Sequence, residues 1–184
     1  MLKPQDILVL LKIYGLKDEW TYSELATRLK MSSSEVHAAL KRCATSGLYN
    51  NKRRRILKPA LEEFLVHGLK YVFPTQPGAL VRGMPTAHSA QPLKDLLVTS
   101  DKPDGMASLR DIYVWAFGSG KVKGQEIKPL YRSVPEAVSS DPQLYEMLAI
   151  VDSLRVGKVR ERELAALELK KRLYDPQDVI FPQR

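Results

Sequence analysis

Two groups of residues in the first third of the chain suit one kind of chemistry, the neutralising and reading of a polyanion. Lys52, Arg53, Arg54 and Arg55 are four consecutive cations. They repel one another and call for anionic company, which a sugar-phosphate backbone supplies. Upstream, Ser33, Ser34, His37, Ala38, Lys41, Arg42 and Thr45 recur at helical spacing. At about 100° per residue, Ser34, Ala38, Lys41 and Thr45 share one side, flanked by His37 and Arg42. Val36, Ala39, Leu40 and Cys43 fall on the other side. Small residues let a helix sit deep in a major groove, hydroxyls reach phosphates or base edges, and cations add charge.

Such residues need a helix held outward and a tight hairpin beside it, and the flanking sequence predicts both. A first helix is expected over 4–14, with Pro4 in its first turn, Ile7, Leu8, Leu10, Leu11 and Tyr14 as its apolar face, and Gly15 as its stop. Asp18–Trp20 is expected to be a short edge strand. Thr21 and Glu24 have the spacing of a capping box, and Ser32 and Glu35 repeat it 11 residues later. Two caps bracketing Leu25, Ala26 and Leu29, with Met31 as the turn, mark two helices rather than one. The second runs over 33–46 and stops at Gly47. Leu48–Tyr49 and Arg55–Leu57 are expected to pair as short strands, with Asn50–Asn51 at the turn. A further helix is expected from Lys58–Pro59 to Gly68, with Leu61, Phe64 and Leu65 facing inward.

In this order of elements, residues 1–68 resemble the winged helix-turn-helix domain of bacterial transcription regulators, closest to the MarR-type group. The resemblance implies a sequence-specific regulator of transcription, a repressor, binding double-stranded DNA as a homodimer at a near-palindromic site. Its reading helix would be 33–46 and its wing Lys52–Arg55. The Pro-rich middle of the chain departs from the mostly helical dimerisation region of that group. Small winged-helix repressors and antitoxins encoded beside a toxin or nucleotidyltransferase are similar too. They imply the alternative, an antitoxin-like module whose residues 69–184 hold a toxin-like partner protein while it represses its own operon.

Charge supports the polyanion reading. Net charge is +8, with +7 from residues 1–59 (12 Lys+Arg against 5 Asp+Glu) and +1 from the rest. A local excess of this kind releases counterions when it meets phosphates. The expected fold class is α+β and mainly helical. It comprises a winged helix-turn-helix domain over 1–68 and, over 69–184, a Pro-rich mixed region ending in two helices. Eight of the twelve prolines lie between Pro74 and Pro142. Within that region Tyr71–Phe73 and Ile112–Phe117 are the strand candidates, periodicity resumes at Leu93–Leu97, and Thr99–Gly105 is a polar turn. The aromatic run Tyr113–Phe117, taken as exposed, is the main support for a partner protein. Asp141-Pro142 opens a helix that ends at Gly157, and the last helix spans Lys158 to Leu173, able to pack on its own domain or on a second chain.

The sequence offers no catalytic constellation. His37, His67 and His88 are at least 21 residues apart, and no nucleophile–base pair, paired carboxylates or zinc spacing is found. Gly118-Ser119-Gly120-Lys121 lacks the length of a phosphate-binding loop and the Ser or Thr after Lys, and reads as a hairpin turn. Arg82–His88 is loop-like and reads as a structural turn with a satisfied histidine, the alternative being a contact for a partner or effector. Cys43 reads as a small buried thiol rather than a redox sensor. No cofactor or metal is expected. The longest apolar runs are five residues, far short of the roughly 20 that span a bilayer. With no apolar stretch behind MLKPQD and one cysteine, the expectation is a cytoplasmic protein and no membrane partner.

Overall fold

Helix α1 (Pro4–Leu16) is buried along every residue from Asp6 to Ile13. A helix buried on all sides belongs at the centre of a core, and the two charges it carries there, Asp6 and Lys12, are each paired, with Arg42 and Asp141. It runs one residue past the expected stop at Gly15. The computed structural model describes residues 1–16, 20–98 and 111–174. The expected strand at Asp18–Trp20 therefore lies mostly outside the described residues, and Trp20 itself is not in a strand. The chain is α+β and mainly helical, as expected.

Helix α2 (Tyr22–Leu29) starts at a complete capping box: Thr21 Oγ1 accepts from the Glu24 amide, and the Glu24 carboxylate accepts from the Thr21 amide. The amide and hydroxyl of Thr21 hold the Glu24 carboxyl below its usual range. Lys30, at φ 54°, makes the turn. Helix α3 (Ser33–Thr45) opens with Ser32 Oγ accepting from the Glu35 amide. The other half of the expected box is absent. Glu35 instead accepts from Gln5 Nε2 at 3.1 Å and from the Tyr131 hydroxyl at 2.9 Å, so its carboxylate ties α3 to distant chain. Strands β1 (Tyr49–Asn50) and β2 (Arg55–Ile56) pair antiparallel.

From Lys58 to Val72 the chain forms one helical rod: α4 (Lys58–Glu63), a wide π-type turn over Phe64–Gly68, and α5 (Leu69–Val72). The expected stop at Gly68 and the expected strand at Tyr71–Phe73 are both corrected. Leu61, Leu65 and Leu69 are buried at four-residue spacing, so the apolar stripe continues through the glycine. The rod also crosses the proposed 68/69 domain boundary without a break. A single apolar core takes residues from α1, α2 and α3 and from the last two helices.

The middle region holds a strand that the sequence reading missed. β3 (Leu80–Pro85) pairs antiparallel with both β4 (Tyr113–Ala116) and β5 (Val122–Glu126), and the last two pair parallel, closing the three into a small barrel. Arg82–Pro85 thus lies in a strand, not a loop, and Gly118–Lys121 does not join antiparallel neighbours. A Cβ added at Gly83 or Gly120 would fall under 3.0 Å from backbone atoms of Trp115 or Gly83, so this closure requires glycine at both. Helix α6 (Leu93–Val98) matches the expected periodicity. Thr99–Gly105 lies outside the described residues.

Helices α7 (Val134–Val138), α8 (Pro142–Val156) and α9 (Val159–Leu173) complete the chain; α7 had no counterpart in the sequence reading. Asp141 caps α8 as expected, accepting from the Leu144 amide. The run Tyr113–Phe117 is not an exposed patch: Val114 is fully buried and Trp115 is 1% exposed. Trp115 Nε1 donates to Asp152 at 2.6 Å. Asp152 also accepts from the Thr86 hydroxyl at 2.9 Å and from Arg155 at 2.7 Å. Arg155 donates onward to the carbonyls of Phe73 and Lys128. One buried carboxylate on α8 thus joins the barrel to the helices.

Candidate nucleic-acid interface

The outward side of α3 is what its phase predicts. Ser33, Ser34, His37, Lys41 and Thr45 are exposed and Ala38 is half-buried, while Val36, Ala39, Leu40 and Cys43 are buried. The Thr45 hydroxyl donates to the Lys41 carbonyl at 3.0 Å and keeps its lone pairs available to a donor.

Arg42 is placed differently. Its guanidinium turns to Asp6 on α1 and makes a two-pronged ion pair, Nε to Oδ2 at 2.8 Å and Nη2 to Oδ1 at 2.6 Å. Asp6 is fully buried, so this cation orients α3 on α1. Removing one partner of such a pair strands the other charge. Arg42→Ala is expected to destabilise the fold by about 3 kcal/mol. Urea unfolding measures this. A loss under about 1 kcal/mol would show the pair to be solvated.

Cys43 has no chemistry to offer at this face. Its thiol donates weakly to the Asp6 carbonyl, and burial, with Asp6 adding, pushes its pKa up to about 12. The thiolate is the reactive form. Iodoacetamide at pH 8 should therefore leave the folded protein unmodified and alkylate it only in denaturant. Modification of the native protein would overturn this placement.

The hairpin tip carries Lys52, Arg53, Arg54 and Arg55, all exposed as residues. The left-handed position is Arg54, at φ 49°, rather than either asparagine. Asn50 works through its side chain instead, with Oδ1 accepting from the Arg53 amide at 3.0 Å. Arg54 folds back: its guanidinium lies 4.1 Å from the Trp20 ring centroid and donates to the Trp20 carbonyl at 2.8 Å. Burial pushes the Tyr49 phenol up in pKa, against the Arg54 charge beside it.

From that contact a run of rings crosses to α3. Trp20 meets Tyr22 edge-on at 5.5 Å, and Tyr22 meets His37 at 5.2 Å. Arg54, Trp20, Tyr22 and His37 thus link the hairpin, the start of α2 and the outward side of α3. The sequence reading missed Trp20 and Tyr22; aromatics on either side of the capping residue Thr21 were the available signal. It also missed Arg132, which is exposed beside Tyr131, whose hydroxyl bonds Glu35 in the first turn of α3.

Among the described residues no group of three or more His, Cys, Asp or Glu side chains is arranged to hold a metal ion. No described helix is long and apolar enough to cross a membrane. No family model matches the chain, and neither the curated proteins nor the solved structures include a match to it.

Proposed function

We propose that residues 1–68 act as a winged helix-turn-helix that binds double-stranded DNA sequence-specifically, making the protein a transcriptional regulator of the repressor kind. In this reading α3 enters the major groove, where Ser34, Lys41 and Thr45 meet base edges and flanking phosphates. Lys52, Arg53 and Arg55 lie along the backbone. Arg42 and Arg54 position the two elements, the first through Asp6 and the second through Trp20. The carrying observation is the run from Arg54 through Trp20 and Tyr22 to His37, which fixes a basic hairpin beside a helix face of small, hydroxyl and basic groups.

The test is selection of duplexes from a random library by the full chain, followed by titration of the preferred sequence. Lys41→Ala is expected to relax preference at one or two base positions and cost about 1–3 kcal/mol there. Recovery of no preferred sequence would remove sequence-specific regulation. Unchanged preference in both Ser34→Ala and Lys41→Ala would remove α3 as the reading helix.

The partner-protein reading loses its main support, because Val114 and Trp115 of the aromatic run are core residues.

A further inference from the structure

Along one side of helix α9 six positions pair off when their order is reversed, apolar with apolar and acid with base, and the exposed cations Arg160 and Lys171 lie beside them. Val159 and Leu167 are exposed at 63% and 65%, and Tyr174, just past the helix end, at 42%. Glu163 and Lys170 are exposed between them. Neither has an ionic partner among the described residues. They stand two turns apart, roughly 10 Å along the axis, too far to pair with each other. Leu167 and the half-buried Ala166 also line an open groove of about 710 Å³ between α9 and α4.

The positions mirror one another about the midpoint between Ala166 and Leu167. Val159 mirrors Tyr174, Glu163 mirrors Lys170, and Ala166 mirrors Leu167. At 3.6 residues per turn all six point within about 50° of one direction. An antiparallel copy of the helix therefore sets each Glu163 against Lys170 of the other chain, twice. It also sets Leu167 over Ala166, and Val159 against Tyr174. A parallel copy would set Glu163 on Glu163 and Lys170 on Lys170. Self-complementarity of this kind is what a two-fold interface requires.

We propose that α9 is the self-association surface of the protein, pairing antiparallel with α9 of a second copy across a two-fold axis between Ala166 and Leu167. The pairing goes beyond the DNA reading and does not rest on it. The apolar positions supply the buried area, and the two ion pairs choose the partner and its direction. One helix about 22 Å long falls short of a standard interface of about 1,600 Å², which places the dimer among weak, concentration-dependent associations.

Sedimentation velocity of the full chain across micromolar concentrations tests this. Wild type should shift from monomer to dimer as concentration rises. Glu163→Lys and Lys170→Glu each replace two attractions by two repulsions, and each should weaken dimerisation roughly tenfold or more. The double variant E163K/K170E restores both pairs in reverse and should return to within about threefold of wild type. Both residues are exposed, and circular dichroism would verify that the variants fold. A wild type that stays monomeric, single variants that dimerise like wild type, or a double variant as weak as the singles would each overturn the proposal. A monomer that still binds DNA would overturn it while leaving the DNA reading intact.

Discussion

Asp152→Ala is expected to lower the stability of the fold by about 3–5 kcal/mol, the cost of stranding a buried charge. For a chain of this length that corresponds to a fall in Tm of roughly 10 °C. Asp152 is 2% exposed and accepts three hydrogen bonds at once, from Thr86, Trp115 and Arg155. Without it the Arg155 guanidinium keeps only the carbonyls of Phe73 and Lys128, and the indole N–H loses its acceptor. Asp152→Asn retains an acceptor for Trp115 and should fall between alanine and wild type. The control is a double-mutant cycle with Arg155→Ala: the two losses should overlap by at least about 1 kcal/mol, because each variant breaks the same ion pair. Additive losses would show that the carboxylate and the guanidinium act separately.

The second large effect belongs to the hairpin. Replacing Lys52, Arg53 and Arg55 together by alanine should weaken binding to every duplex, preferred or not, roughly 10- to 100-fold near physiological salt. The more telling quantity is the slope of log affinity against log salt concentration. Each phosphate neutralised contributes about 0.9 to it, so the triple variant should be shallower by nearly 3. Arg42→Ala, whose charge is spent on Asp6, should leave that slope close to wild type. Arg54→Ala should behave in a third way. It removes a cation already stacked on Trp20, so affinity should fall through a displaced hairpin more than through lost charge. An unchanged slope in the triple variant would sink the backbone-gripping role.

What the sequence disclosed and what it hid divide along a physical line. The caps at Thr21 and Ser32, the inward phase of Val36, Leu40 and Cys43, and the Asp141 cap are decided within a few residues, so spacing alone is enough. The outward side of α3 was legible for the same reason. Arg42 was not, because its direction depends on Asp6, 36 residues away. Trp20 was overlooked because its value comes from Arg54 on a hairpin that closes later in the chain. Tyr71–Phe73 has the aromatic and branched residues of a strand, yet Leu61, Leu65 and Leu69 hold Tyr71 and Val72 in a helix that Phe73 ends: packing outweighed propensity. β3 shows no apolar–polar alternation to detect, because Leu80 shares the exposed side with Arg82 and the buried place between strands goes to Gly83.

Several ties bind the α2–α3 pair to chain a hundred residues downstream. The Ser133 hydroxyl donates to the Leu29 carbonyl at 2.6 Å, Tyr131 holds Glu35, and the rod from Lys58 to Val72 runs on without a hinge. If two copies join through α9 and each grips a half-site, the distance between the reading helices becomes a fixed gauge rather than an adjustable reach. One base pair inserted between half-sites turns the second by about 34° around the duplex axis. A jointed protein would absorb that rotation. This one would have to twist the DNA or release one end.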